Sequence, residues 1–136
     1  PKFLKTRHDI ASKNYKIIED EVQNKVFASQ VSQDLAYKGK SFSIVVPKTV
    51  DDVKNEGATL NHCVASYVKS VIDGKCKIIF LRKNKNIDKP LVTLELRHGD
   101  IVQAKGKSNR SLTNAEREFL KIYTKENDLV SERFRV

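Results

Sequence analysis

An imidazole and a thiol stand side by side in the run Leu60-Asn61-His62-Cys63-Val64-Ala65-Ser66-Tyr67, with a phenol one turn further on. The pattern reads as the start of a helix. There the exposed N–H groups and the positive end of the dipole lower a thiol's pKa, and the thiolate is the reactive form, so Cys63 is a candidate nucleophile. His62 is a candidate general acid or base, and a phosphate ligand when charged. Neighbours on a helix point about 100° apart, however, which places His62 poorly for taking the proton of Cys63. Cysteine is also among the most buried residue types. Two readings therefore stand. For Cys63 these are a reactive thiolate or a thiol packed inward, and for His62 an acid/base or phosphate ligand or a half-buried cap of the helix start. Adjacency favours a division, with Cys63 inward and His62 toward the polar side of the sheet. Tyr67 is a pocket-lining donor in the first and a core phenol with a bonded hydroxyl in the second.

A second group of functional side chains is Gln103-Ala104-Lys105-Gly106-Lys107-Ser108-Asn109-Arg110. Glycine between lysines lets the backbone approach an anion, and a helix N-terminus follows at once. Lys105, Lys107 and Arg110 are candidates for phosphate contacts, and Asn109 for reading a base edge or holding the loop. The spacing is neither a Walker loop nor a dinucleotide fingerprint. The plain alternative is a solvated basic turn.

The bulk composition agrees with a polyanionic partner. The 136 residues carry a net charge of +9, an excess that favours nucleic acid, or less often an anionic membrane surface. Cys63 and Cys76 have neither the number nor the spacing of a disulfide framework or zinc site, and His8, His62 and His98 are scattered, so no metal is expected and the thiols read as reduced. No run approaches the roughly 18 apolar residues of a membrane span, and no signal-peptide pattern opens the chain; a cytoplasmic location is the expectation. The absence of methionine, even at position 1, suggests a piece of a longer protein.

These groups must be held by an α+β domain. Residues 1–40 form a helical segment: apolar steps of three and four run from Ile18 to Leu35, with Asp9 as a possible cap and Gly39 just past the end. Residues 41–136 form the α+β domain. Ser41 to Pro47 is a β-branched strand stopped by proline. Thr49 caps a helix over 50–56 that Gly57 breaks, and a second helix begins near Thr59 to Asn61 and runs to Asp73-Gly74. A three-stranded antiparallel meander follows: Lys77 to Lys83, Leu91 to Arg97, a tight His98-Gly99-Asp100 turn, then Ile101 to Lys105. Thr113 and Glu116 form a capping box that opens the last helix, with Phe119, Leu120 and Tyr123 inward. The sheet is expected to be covered on at least one face.

Alternation gives that sheet two unlike faces. Ile79, Leu81, Val92, Leu94, Leu96, Val102 and Ala104 make a hydrophobic face that is core. The other collects Ile78 and Phe80 with Arg82, Thr93, Glu95, Arg97, Gln103 and Lys105. It reads either as the floor of a pocket lined by Tyr67, Thr93 and Gln103, or as a solvated face on which Arg82 and Glu95 pair across strands.

Ile44 to Pro47, Glu56-Gly57, Leu60, His62-Cys63-Val64, Tyr67, Gly74, Ile78, Phe80 to Arg82, Pro90, Thr93-Leu94-Glu95, Ile101, Gln103, Gly106 and Asn109-Arg110 together resemble the PcfJ-like family of conjugative plasmids, integrative elements and phages. The resemblance covers about residues 42–125 and leaves the N-terminal helix outside. The family is named for a conjugation protein that works with the DNA-processing relaxosome and the coupling ATPase. The resemblance thus implies a cytoplasmic role in handling transfer DNA or its protein complex; no cofactor is expected. The first expectation is a DNA-associated accessory domain of a mobile element, binding DNA in preference to RNA, or the transfer complex, through the basic loop and the polar sheet face. Its nucleic-acid contacts would be Lys105, Lys107, Arg110, Asn109 and Arg82. A second is an enzyme on a nucleotide or nucleic acid, with His62 as acid/base, Cys63 beside it, Arg82 and Arg110 on phosphate, and Glu95 assisting or binding a metal. A third is a protein–protein adaptor, marked by an exposed apolar patch.

Overall fold

The structure, a computed structural model, describes residues 21–61 and 65–129. Its centre is an antiparallel sheet in which each strand pairs with its sequence neighbour: β1 Tyr37–Lys38, β2 Phe42–Val45, β3 Lys77–Lys83, β4 Val92–Arg97 and β5 Asp100–Lys105. Against it pack four helices: α1 over residues 21–30, α2 Val50–Leu60, α3 Ala65–Ile72 and α4 Asn114–Glu126. The α+β class with an antiparallel meander is the one the sequence predicts. The meander is longer than predicted, because β2 pairs with β3 from Phe42↔Lys83 to Val45↔Phe80, and Tyr37 extends the sheet opposite Ile44.

Both faces are covered. Leu120 and Tyr123 of α4 bury against Ile44, Ile79, Leu81, Val92, Leu94 and Leu96 on one side. On the other, Phe27 of α1, Val50 and Val53 of α2 and Val71 of α3 bury Cys76, Ile78 and Phe80. The second face is therefore not solvated, which is why Ile78 and Phe80 stand on it. Phe27 and the paired Tyr37 tie residues ahead of position 41 to the same cores.

Local chemistry explains where the elements start and stop. Thr49 accepts from the Asp52 N–H while Asp52 accepts from the Thr49 N–H at 3.1 Å, a reciprocal cap for α2. Gly57 does not end this helix. Val53 and Leu60 on either side of it are buried, and that packing outweighs the ~1 kcal/mol propensity cost of glycine. Asn61, left-handed at φ 55°, is the terminator, its N–H reaching the Gly57 carbonyl. The described part of α1 stops at residue 30 rather than Leu35; a 3-10 turn, Gln33–Leu35, then leads into β1. The predicted Asp9 cap lies outside the described residues. Gly39 belongs to the β1–β2 turn, where a Cβ would stand 2.6 Å from Phe119 Cε2 and 2.8 Å from the Phe42 carbonyl oxygen.

The β4–β5 turn is formed by His98 and Gly99, both left-handed, at φ 53° and 77°. A bulge then shifts the register: Glu95 faces Gln103, but Leu96 faces Ile101. Ile101 takes the core place expected of Val102, and Val102 becomes the extra residue.

Candidate functional site

The polar groups of the covered face form an internal network. Arg82, on β3, donates to the Glu56 carboxylate of α2 and, through Nη1, to the Ile87 carbonyl at 2.9 Å. Its guanidinium lies 5.0 Å from the centre of the Phe80 ring. Arg82 does not pair with Glu95: the register puts Glu95 opposite Ile78 and Arg82 opposite Ser43, four positions apart along the strands. Glu95 instead accepts from Arg97 Nε at 2.6 Å. Glu56 is 1% exposed, and burial pushes its carboxyl up to about 7 against the opposing pull of the Arg82 charge and hydrogen bond. Glu56 Oε1 and Arg82 Nε are buried with no hydrogen-bond partner.

Beside this network, Tyr67 of α3 donates its hydroxyl to Gln103 Oε1 of β5 at 2.9 Å, so α3 is fastened to the edge strand. Glu95 and Gln103 are cross-strand neighbours, and Thr93 faces Lys105 in the next row. Thr93 and Glu95 are buried, at 4% and 5% exposure, so they line the interior rather than an open groove. His62 and Cys63 lie outside the described residues. Cys76 is a free, buried cysteine whose thiol is pushed up to about 11 by burial and by the charge of Glu95, an inert thiol at neutral pH.

The basic loop leaves the end of β5 through Gly106 and a 3-10 turn, Lys107–Asn109, in which Ser108 and Asn109 are left-handed at φ 52° and 63°. The loop is closed by the Gly106 N–H donating to the Arg110 carbonyl at 3.1 Å. Lys107, Ser108 and Asn109 are exposed, and Lys105 is half-buried. Asn61 at the end of α2 donates to Ser108 Oγ at 3.4 Å, so the loop sits beside the end of that helix. Among the described residues neither Lys105 nor Lys107 makes an ion pair.

Arg110 is placed differently from its two lysine neighbours. Both terminal guanidinium nitrogens grip Glu116, Nη1 on Oε1 at 2.9 Å and Nη2 on Oε2 at 3.0 Å. Glu116 is also the capping-box acid of α4, accepting from the Thr113 N–H at 2.9 Å. Burial alone would raise this carboxyl; the Arg110 hydrogen bonds, the Thr113 backbone and the Arg110 charge outweigh it and hold Glu116 below the usual carboxylate range. The helix N-terminus expected to receive an anion thus already holds a carboxylate of its own chain.

The structure brings Lys105, Lys107, Asn109 and Arg110 together on one loop, and Tyr67, Thr93, Glu95 and Gln103 together beneath helices. Arg82 lies in the buried network and does not join the loop. Sequence reasoning missed Glu56 and Glu116 as partners. A signal for Glu56 exists: it falls on the inward stripe Val50, Val53, Glu56, Leu60, where a carboxylate needs a cation opposite it. Among the described residues no group of histidines, cysteines and carboxylates is arranged to hold a metal, and no helix is long and apolar enough to cross a membrane.

Residues 1–120 match the sequence profile described as PcfJ-like protein, which extends the likeness over the residues ahead of position 42. An uncharacterized protein of Listeria innocua serovar 6a is 36% identical over 113 residues, covering 80% of this chain and 25% of that protein. The chain therefore spans a quarter of the length of the curated relative it matches. No solved structure matches.

Proposed function

Because the chain belongs to the PcfJ-like family, we propose that this domain binds nucleic acid, DNA in preference to RNA, in the cytoplasmic DNA-handling machinery of a mobile element, and does so through the loop from Lys105 to Arg110. The observation that carries this reading is the construction of the loop. Two left-handed residues push Lys107, Ser108 and Asn109 into solvent, while Arg110 is latched to Glu116 from behind. A preorganised loop with unpaired lysines offers positive charge to phosphates at little ordering cost, its backbone held by the Gly106, Asn109 and Arg110 N–H groups donating within the loop. The net charge of +9 supports it. The covered sheet face is the frame of the loop and not a contact surface, since Arg82, Thr93 and Glu95 are buried.

The test is anisotropy of a labelled DNA duplex titrated with the chain at several salt concentrations. Affinity is expected to fall steeply with salt, with a slope of about 0.9 per phosphate contacted, and Lys105→Ala and Lys107→Ala each to lower that slope by about one. Salt-independent binding, or a double variant that binds like the parent, overturns the proposal.

A further inference from the structure

The meander gathers a second set of lysines at the same end of the sheet as the basic loop. Phe42 at the start of β2 faces Lys83 at the end of β3, β4 starts at Val92 opposite Leu81, and Lys105 at the end of β5 faces Thr93. The β1–β2 turn, the β3–β4 loop and the exit from β5 therefore share one edge of the molecule. The ends of β1 and β3 and the two hairpin loops contribute Lys38, Lys40, Lys83, Lys85 and Lys89, all exposed, against a single carboxylate, Asp88. Among the described residues none of the five lysines makes an ion pair.

One asparagine stitches the two loops together. Asn84 Nδ2 donates to the carbonyls of Gly39 and Lys40, at 2.8 and 3.0 Å, and the Asn84 N–H donates to Ser41 at 2.9 Å. Ser43 Oγ donates to Asn84 Oδ1, and Arg82 holds the far side of the β3–β4 loop at the Ile87 carbonyl. The buried Glu56–Arg82 pair thus anchors an exposed basic corner from beneath. Like charges are held close together without neutralisation, an arrangement that gains when an anion arrives.

We propose that this corner and the Lys105–Lys107 loop are two halves of one footprint for the phosphate backbone of duplex DNA. The inference rests on the nucleic-acid reading above and extends it to residues that reading does not use. Five strands spaced ~4.8 Å apart put about 19 Å between the outer ends of the row, enough to bridge a major groove about 12 Å wide and reach backbone on both sides. None of the described aromatic residues is exposed, so the face lacks the stacking platform of a single-strand binder. The corner carries one exposed large apolar side chain, Ile87, which makes no membrane-inserting face.

The experiment compares the 136-residue chain with Lys83→Ala/Lys85→Ala/Lys89→Ala, with Lys38→Ala/Lys40→Ala, with Lys105→Ala/Lys107→Ala, and with Lys48→Ala/Lys75→Ala at the opposite end of the sheet. Probes are a 20-base-pair duplex, a 20-nucleotide single strand and phosphatidylserine vesicles, with circular dichroism confirming that each variant folds. The triple variant is expected to lower the salt slope by about 2 to 3 and weaken duplex binding roughly 100-fold at 0.15 M salt, with the opposite-end pair close to the parent. A triple variant that binds like the parent while Lys105→Ala/Lys107→Ala loses binding overturns the corner and leaves the loop reading standing. Equal losses from the opposite-end pair, tighter binding to the single strand, or lysine-dependent binding to vesicles but not duplex overturns the inference as well. A parent chain that binds no DNA removes both readings.

Discussion

Arg110 and Glu116 form a two-toothed grip, 2.9 and 3.0 Å, between the last residue of the basic loop and the first turn of α4. One pair thereby sets loop geometry and caps a helix at once. Glu116 is 2% exposed, whereas the Arg110 side chain is 36% exposed.

This grip gives a prediction opposite in sign to simple charge counting. Glu116→Ala removes a negative charge next to the loop, which on electrostatics alone would strengthen DNA binding. If Arg110 positions the loop, the substitution weakens binding instead, and it destabilises the fold by about 2 kcal/mol through the lost cap and ion pair. Urea denaturation beside duplex anisotropy checks both; stronger binding by Glu116→Ala assigns Arg110 to the phosphates directly.

The Glu56–Arg82 pair is deeper, and breaking it leaves a buried charge. Glu56→Ala strands the Arg82 charge and is expected to cost about 3–5 kcal/mol, Arg82→Ala costs less because Glu56 then keeps its proton, and Glu56→Leu/Arg82→Met recovers most of the larger loss by packing the site with apolar groups. Equilibrium denaturation of the three variants measures this. Losses that simply add in the double variant would show that the two side chains are not coupled.

The two carboxylates titrate in opposite senses. Glu56 holds its proton up to about 7 in the fold, against an ordinary value of 4.5, so between those values the folded state binds more protons and stability falls as pH rises. Glu116 is held below its ordinary value, so its contribution is present above that value and fades as pH falls through the lower folded one. The two opposed slopes cancel near the shared ordinary value of 4.5, and thermal melts are expected to peak there as far as these two groups decide. Glu56→Gln should flatten the neutral side of that profile and Glu116→Gln the acid side.

What could be read in the sequence is what neighbouring residues decide. Both capping boxes have their partners three residues apart, the His98-Gly99 turn carries its own backbone preference, and strand alternation separates Ile79 and Leu81 from Ile78 and Phe80. The basic loop was legible for the same reason, since its lysines and glycine are contiguous. Local propensity points to a helix end at Gly57, and burial of Val53 and Leu60 overrides it. The bulge at Glu95/Leu96 carries no local mark, so alternation alone gives Val102 the place that Ile101 takes.

The sequence by itself determined an α+β chain with an antiparallel meander, a basic character and the residues of the loop, because periodicity, turn chemistry and charge act over a few residues. Tertiary structure alone decided that the polar sheet face is roofed by helices, that Arg82 meets Glu56 from 26 positions away, and that lysines from two hairpins stand at one edge with the loop. Those relations depend on register and on which face a helix covers. Neither is encoded in any short window, since a strand fixes only the alternation of its own side chains and leaves the choice of neighbour to packing.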